Sequence, residues 1–213
     1  MEHARLWRDT KSGNRLSRQA EILGGEKIVM GGMCVVSENC RLLGNVKMQN
    51  ECKEAISMGT FCIVEQLCLL EPPQVAVKKK VAVKNKDPEG MMSGTSLHKT
   101  LTMGSFVLVG RSSEVRCRRI GRRVIVGSCC ILSRGCELGD VVIVEPNVTI
   151  PESCKVPHFT LVKQHPEFPN SIQFIPLPGS IKKCIENWCK EAYLGISVDM
   201  SKIVTDLQSN GSP

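Results

Sequence analysis

The stretch VGSCCILSRGCELGDVVIVEPNVTI, residues 126–150, decides the fold because it repeats every six residues. Cut at that period it reads VGSCCI, LSRGCE, LGDVVI and VEPNVT, followed by Ile150. Each unit begins with an aliphatic residue and carries a small residue fifth. A fixed internal period indicates a stacked, repetitive architecture, so we number the positions within each unit from 1 to 6.

The same frame covers residues 103–162 and returns in two earlier stretches. One unit, VRCRR from Val115, is a residue short. Position 1 holds only aliphatic residues or methionine, which indicates a continuous apolar interior. These seventeen residues are Met30, Val36, Leu42, Met58, Val64, Leu70, Met103, Val109, Val115, Ile120, Val126, Leu132, Leu138, Val144, Ile150, Val156 and Val162.

Six residues per face and three faces per turn describe a triangular coil. Position 1 then points inward, position 5 lies near a corner that admits small side chains, and Gly at position 2 serves the bend between faces. The sequence therefore predicts an all-β, single-stranded left-handed parallel β-helix. An antiparallel sandwich is disfavoured, because the residues of its strands alternate with period two and its chain turns about every 8–12 residues, whereas the period here is six.

Composition agrees with narrow, evenly spaced interior slots, since 42% of the chain is hydrophobic but only 4% is aromatic. The sequence contains no run of about 18 apolar residues, so no transmembrane helix is predicted, and the N-terminus lacks an apolar signal core. We therefore expect a cytosolic or nuclear protein, in which the 12 cysteines are thiols. Without any CxxC pair, no metal site is expected. Seven of the cysteines stand at position 5: Cys34, Cys40, Cys62, Cys68, Cys130, Cys136 and Cys154.

Breaks in the period divide the chain into five segments. We expect an N-terminal segment, early coils, a basic insertion, regular coils, and a C-terminal helix with its tail. The predicted ranges are 1–27, 28–71, 72–102, 103–165 and 166–213. Residues 43–57 are too polar for a continuous face and predict an incomplete face with a loop.

The C-terminal segment changes period after Pro176, Pro178 and Gly179. Apolar residues then recur at a spacing of three and four from Ile181 to Ala192, which predicts an α-helix packed on the flank of the coils. Residues 197–207 are consistent with a second short helix.

Positive charge is concentrated in two places, although the whole chain carries only +7. The insertion 72–102 has six lysines against two acids, and residues 111–123 have six arginines against one. We expect these two surfaces to bind an acidic partner, with a solvated charged face as the plain alternative. The candidate partner-binding residues are Lys78, Lys79, Lys80, Lys84, Lys86, Arg116, Arg118, Arg119, Arg122 and Arg123. Nucleic acid is not expected, because no aromatic residues interleave with these cations.

Catalysis on a hexapeptide β-helix requires histidine, as a general base or as a zinc ligand. The chain has four histidines, and none lies in residues 103–157, where such side chains would project from regular coils. His98 is expected to be a solvated side chain in the basic insertion. The sequence therefore predicts a non-enzymatic protein without cofactor or metal.

Four stretches resemble the dynactin subunit 5 family, one of two β-helical subunit families of the dynactin pointed end. They are SGNRLSRQ at residues 12–19, GGMCVVSENCRLLGN at 31–45, FCIVEQLCLLEPP at 61–73 and IPESCKVPHFTLV at 150–162. The chain departs from that family in its longer 72–102 insertion and in Leu43-Gly44-Asn45, where related hexapeptide proteins carry Arg-Gly-Asp.

The resemblance implies a structural and adaptor subunit of dynactin, located in the cytoplasm on the cytoskeleton, which supports dynein-driven microtubule transport. It implies as partners the other pointed-end subunits (dynactin subunit 6, dynactin subunit 4 and the actin-related protein) and dynein cargo adaptors. An anionic membrane surface is a further candidate for the basic residues. Three alternatives stay open at this point: a subunit 6 role, a hexapeptide acyltransferase, and a carbonic-anhydrase-like protein.

Overall fold

A computed structural model describes residues 6–49, 53–75, 96–168 and 171–196 of the 213-residue chain. The chain winds as a left-handed parallel β-helix with a C-terminal α-helix, as the sequence predicts. Each coil contributes one strand to each of three sheets, which we call faces A, B and C. The lysines Lys78, Lys79, Lys80, Lys84 and Lys86 lie outside the described residues, as does the segment after residue 196.

Most coil strands are short because they span only positions 5, 6 and 1, or fewer, whereas β4, β7 and β22 continue to position 3. Face A contains β1 (Trp7–Asp9), β2 (Arg15–Ser17), β5 (Val35–Val36), β8 (Cys62–Val64), β13 (Val107–Val109), β16 (Val124–Val126), β19 (Val142–Val144), β22 (Thr160–Gln164) and β23 (Ile172–Pro176). Face B contains β3 (Glu21–Leu23), β6 (Arg41–Leu43), β9 (Leu69–Leu70), β14 (Glu114–Val115), β17 (Ile131–Leu132) and β20 (Thr149–Ile150). Face C contains β4 (Ile28–Gly32), β7 (Ile56–Thr60), β12 (Leu101–Met103), β15 (Arg119–Ile120), β18 (Glu137–Leu138) and β21 (Lys155–Val156).

Three elements complete the fold. Strands β10 (Gln74–Val75) and β11 (Leu97–His98) pair antiparallel outside the coils. A 3-10 turn covers Gly25–Lys27, and helix α1 covers Ile181–Tyr193. Pairing is parallel and in register within the coils, whereas β1 and β23 pair antiparallel at the two ends of face A. Strands β2 and β3 already belong to the coils, so coil structure extends N-terminal of residue 28.

The interior is lined by the residues that the period selects. Every position-1 residue from Val36 to Val162 is at most 3% exposed, and only Met30, in the first coil, is half-buried. Position 5 faces inward too, and Ser113 and Thr160 are its buried polar members. Burial of one such aliphatic side chain contributes about 1.5–3 kcal/mol, which makes this lining the main source of stability.

Position 4 adopts the left-handed backbone conformation at the corners, a feature that the period alone does not reveal. Twelve residues other than glycine have φ between 51° and 63°, and Gly135 has φ 72°. Left-handed backbone costs about 1–2 kcal/mol per residue for side chains with a Cβ. The conformation persists because the position-4 N–H donates to the position-3 carbonyl of the preceding coil, as from Cys129 to Arg111 at 2.8 Å.

Glycine at position 2 has a different role from the one that the sequence suggested. The bend itself is made at position 4, and the position-2 glycines of the regular coils lie outside the left-handed region. They are required by close stacking, because a Cβ on Gly110 would lie 2.7 Å from the carbonyl carbon of Gly127 in the next coil. A Cβ on Gly121 would lie 2.3 Å from the carbonyl oxygen of Gly139. Coil-to-coil spacing therefore selects glycine here.

Cysteine at position 5 donates a hydrogen bond as well as filling space. The thiol of Cys68 lies 3.2 Å from the carbonyl oxygen of Gly110, one coil further on, and that of Cys130 lies 3.1 Å from that of Glu145. Ser113 makes the equivalent bond to the carbonyl of Gly127 at 3.0 Å. Burial raises the pKa of Cys130 to about 11, so this thiol stays protonated and able to donate.

Within the described part of the chain, no helix is both long and apolar enough to cross a membrane.

Two substitutions in one corner test whether position 2 requires glycine for close stacking and position 4 makes the bend. Gly110→Ala should lower the free energy of unfolding by about 1–3 kcal/mol, because its methyl group overlaps the next coil. Ser112→Gly, two residues away and exposed at φ 57°, should leave stability unchanged or raise it by up to about 1 kcal/mol. Urea unfolding followed by circular dichroism measures both; equal effects of the two variants would contradict this assignment.

Candidate partner-binding surface

Face A is apolar on its outside as well as its inside. The position-6 side chains of this face point outward and are nearly fully buried: Val35, Ile63, Leu108, Ile125, Ile143 and Leu161. Helix α1 covers them with Ile181, Ile185 and Cys189, each at most 4% exposed. The sequence does contain a pattern that indicates an apolar outer face, since apolar position-6 residues recur once per coil. The six-residue frame alone did not single out that face.

Helix α1 spans the rod from its last coil to its first. Lys182 lies over the Phe159 ring near one end, and at the other the Tyr193 hydroxyl donates to the carbonyl of Gly13 at 2.9 Å. The Arg15 guanidinium contacts the Tyr193 ring at 4.3 Å and donates to its carbonyl at 2.9 Å. Face A is thereby closed to partners along most of its length, and faces B and C remain exposed among the described residues.

Four arginines of the predicted cluster are engaged within the protein. Arg116 pairs with Glu71 at 2.9 Å and with Glu114 at 2.6 Å. The hydrogen bond to Glu71 raises the pKa of Arg116 above its usual value. The other three ion pairs are Arg118–Glu137 at 3.2 Å, Arg122–Asp140 at 3.5 Å and Arg123–Glu186 at 2.5 Å. Arg123 thus links a coil corner to helix α1.

Arg119 differs from the other four because no ion pair is found for it in the described residues. Its side chain points outward from face C and borders a groove of about 630 Å³. Lys99, Arg118 and Thr102 line the same groove, and so does Gln49, whose buried Oε1 has no hydrogen-bond partner in the described structure. The carboxylate of Glu137, which pairs with Arg118, lines it as well. The groove therefore combines three cationic groups with one carboxylate and an unsatisfied acceptor.

The five arginines do not form one patch. Arg116 lies at the corner between faces B and C, Arg118 and Arg119 lie at face C, and Arg122 and Arg123 lie toward face A. This spread follows from the triangular path of the chain, which turns between consecutive units. The face C groove brings two of the predicted cations, Arg118 and Arg119, together.

The two interruptions of the coils meet at the corner between faces B and C. His98 donates its backbone N–H to the carbonyl of Lys47 at 2.8 Å and accepts from the N–H of Gln49 at 2.8 Å. Strand β11 pairs with β10 on its other side. The root of the basic insertion is therefore anchored to the loop that follows β6, and so to the rod.

His98 itself is buried, which corrects the expectation of a solvated side chain. It is 4% exposed, and its Nδ1 lies 2.7 Å from the carbonyl oxygen of Pro72. A carbonyl only accepts, so Nδ1 carries the proton. The sequence suggested a solvated loop because the insertion is polar, whereas the backbone of His98 pairs with the loop after β6 and its ring bonds to Pro72.

His158 lies in the last coil, at the corner between β21 and β22. Its Nδ1 accepts the backbone N–H of Asp140 at 2.8 Å, so this nitrogen is not free to accept a substrate proton. Within residues 6–49, 53–75, 96–168 and 171–196, no three His, Cys, Asp or Glu side chains are grouped closely enough to hold a metal ion.

Comparison with known proteins places the chain among hexapeptide-repeat proteins. The family model of Dynactin subunit 5 matches residues 3–175. The acetyltransferase domain of PglB from Neisseria gonorrhoeae is 13% identical, with a TM-score of 0.51, over 78% of this chain and 58% of that one. The same domain with acetyl coenzyme A gives 12% identity and a TM-score of 0.50, over 76% and 57%. This chain thus spans less than two thirds of that domain.

A hexapeptide transferase family protein from Anaplasma phagocytophilum is 11% identical, with a TM-score of 0.45, over 85% of this chain and 89% of that one. At such identities the structural likeness extends to the fold alone.

Acid should weaken one corner contact beside face C. Partial burial raises the pKa of Asp140, but the N–H, charge and guanidinium of Arg122 together hold it below its usual value. A lowered folded pKa stabilises the fold above about pH 4, and that contribution is lost as pH falls below it. Asp140→Asn should therefore be less stable than the wild type at pH 5, and the difference should shrink by pH 3.

Urea unfolding at both pH values measures this difference. Glu152→Gln, which removes the exposed carboxylate paired with Arg134, is the matched control and should show a smaller change with pH. A gap between wild type and Asp140→Asn that stays constant from pH 5 to pH 3 would contradict the role given to Asp140.

Proposed function

The chain belongs to the dynactin subunit 5 family, and on that basis we propose that it is a non-catalytic structural subunit of the dynactin pointed-end complex. In this role it supports dynein-driven microtubule transport and contributes to cargo-adaptor binding, in the cytoplasm on the cytoskeleton. Its neighbours would be the other pointed-end subunits, namely dynactin subunit 6, dynactin subunit 4 and the actin-related protein. The observation that carries the proposal is a stiff rod sealed on face A by its own helix and exposed on faces B and C.

A rod of this kind suits docking because its outer faces are flat and its backbone is fixed by bonds between coils. The position-6 column of face C reads Val29, Ser57, Thr102, Arg119, Glu137 and Lys155, a surface of modest size and mixed polarity. Such surfaces resemble the polar rims of protein interfaces more than enzyme clefts. The described residues of this face include no histidine that could serve as a base.

We place the electrostatic part of the contact at the face C groove and at the lysines of the insertion. Arg119, without a carboxylate partner among the described residues, is the cation with most to gain from an acidic segment of a neighbour or an adaptor. The described ends of the insertion are held to the rod, since β10 pairs with β11 and His98 bonds to Pro72, while the lysines themselves lie outside the described residues. Anionic membrane is a secondary candidate for the same lysines, and nucleic acid is not proposed.

Purification of a tagged chain from native cytosol tests the proposal. We expect dynactin components to be recovered in fixed stoichiometry, with dynein and adaptors present at low salt. Recovery of the chain alone, as a homotrimer, would contradict it.

Charge reversal tests the location of the contact in the same assay. Arg119→Glu, or reversal of Lys78, Lys79 and Lys80 together, should reduce recovery and make what remains less sensitive to salt. Arg134→Glu is the matched control, since Arg134 lies outside the face C groove, in a groove beside Arg116, and is paired with Glu152. Recovery of both sets of variants at the wild-type level would remove the basic groups from the contact.

An acyltransferase is the second candidate function, favoured by one feature of His98. With its Nδ1 proton held by the Pro72 carbonyl, its Nε2 keeps a lone pair, as a general base requires. Against this, the ring is 4% exposed and lines none of the four main grooves. We therefore expect no acetyl transfer from acetyl coenzyme A; turnover that His98→Ala abolishes would favour the enzyme instead.

A further inference from the structure

One backbone hydrogen bond repeats at the corners of the rod and gives it a direction. The N–H at position 2 donates to the carbonyl at position 1 of the next coil. Gly110 donates to Val126 at 2.8 Å, Gly127 to Val144 at 2.8 Å and Gly139 to Val156 at 2.9 Å. Every coil therefore presents donors at position 2 toward the C-terminal end, and position-1 carbonyls toward the N-terminal end.

The last coil lacks these donors where no further coil follows. Its position-2 residues on the way to faces C and A are Pro151 and Pro157, which have no N–H. The third, Glu145, has a strand beyond it and donates to the carbonyl of Val162 at 2.9 Å. Proline thus occurs at the two corners where the N–H would be left without a partner. Proline at an open edge also prevents a further strand from pairing there.

The N-terminal end is built differently. Strand β4 ends the face C sheet, and among the described residues it pairs only with β7. On this face the position-6 N–H points to the next coil, as from Thr102 to the carbonyl of Arg118 at 3.1 Å. The alternate residues of β4, Ile28 and Met30, therefore turn their carbonyls, and Met30 also its N–H, toward the open edge. Their inward side chains are only half-buried, unlike those of later coils.

Face A is closed at this end, whereas face B is not. Strand β1 pairs with β2 and ends face A. Strand β3 ends face B and pairs with β6 alone among the described residues. Of the two open edges β4 is the longer, five residues against three, so it offers an added strand the longer edge.

We propose that the β4 edge is a docking site for an extended strand of a different protein, which continues face C by one rung. The inference rests on the proposed function, which supplies a partner complex. The incoming strand must offer backbone N–H groups to the carbonyls of Ile28 and Met30, and apolar side chains at alternate positions to cover their half-buried side chains. A second copy stacked head to tail would meet this need only in part, because Pro157 leaves the face C edge of its last coil without the position-2 donor that the Met30 carbonyl requires.

Two variants of one residue separate the edge from the side chain. Met30→Ala removes the side chain and keeps the N–H, whereas Met30→Pro removes both and obstructs the edge. Neither change touches a bond to β7, because the Met30 N–H faces away from that strand. In the tagged purification, Met30→Pro should recover about tenfold less of the complex than Met30→Ala, while the two isolated chains unfold at similar urea concentrations.

Equal recovery of the two variants would overturn the inference while leaving the proposed function intact. A wild-type chain that recovers no dynactin components would instead sink the proposed function. If Met30→Pro does not fold, hydrogen exchange on the unaltered chain decides the matter. The Met30 amide should exchange rapidly in the isolated chain and at least tenfold more slowly in the assembled complex. Slow exchange in the isolated chain, or a self-associated wild type paired through β4, would refute docking of a foreign strand.

Discussion

The structure depends on one constraint, which is that each coil stacks in register on the next at the spacing of a parallel sheet. Position 2 must then be nearly bare, because a Cβ on Gly121 would overlap the carbonyl oxygen of Gly139. Position 4 must turn the chain, and it does so in a strained conformation that bonds to the preceding coil. With the corners fixed, the side chains at positions 1 and 5 must point inward, and the side chain at position 6 must point outward.

The fold could be predicted from sequence because its determinants recur at a fixed period. The apolar leading residues identified the interior, and Met30 departs from full burial only because no coil covers it. The left-handed corners could not be predicted from residue type, since Val141, Phe61 and Arg123 occupy them without any preference for that conformation. There the bonds between coils override local preference. The segment boundaries were harder to predict, because the first coil, around Arg15 and Glu21, lacks the regular six-residue period of the later units.

The surface was harder to predict than the interior. The clustering of six arginines in residues 111–123 suggested one basic patch, but a chain that turns at each corner distributes them over different faces and beside different carboxylates. The number of arginines in the sequence therefore overestimated the number of unpaired arginines on the surface. Arg119 could be distinguished from Arg116 only once the carboxylates around each of them were known. His98 was mistaken for a solvated residue for a related reason, because its backbone partners, Lys47 and Gln49, lie in a loop about fifty residues earlier.

A fold shared with acetyltransferases does not transmit their chemistry, since activity resides in side chains placed on the coils. In this chain the features that stand out are structural: a helix that seals one face, prolines that end the last coil, and an open strand edge at the first. Together they fit the proposed role of a subunit with a fixed position among unlike neighbours. The same in-register stacking that forms the interior also keeps the outer faces flat and the two ends chemically different.

Hydrogen exchange resolved to single amides would test the stacking most directly. The account predicts slow exchange at the corner glycines Gly104, Gly110, Gly121, Gly127 and Gly139, comparable to that of Val126 and Val144, because each of these N–H groups is bonded to the next coil. In a sheet protein with ordinary turns, the corner amides would exchange quickly and protection would be confined to the strands. That second pattern would contradict the in-register coil and everything inferred from it.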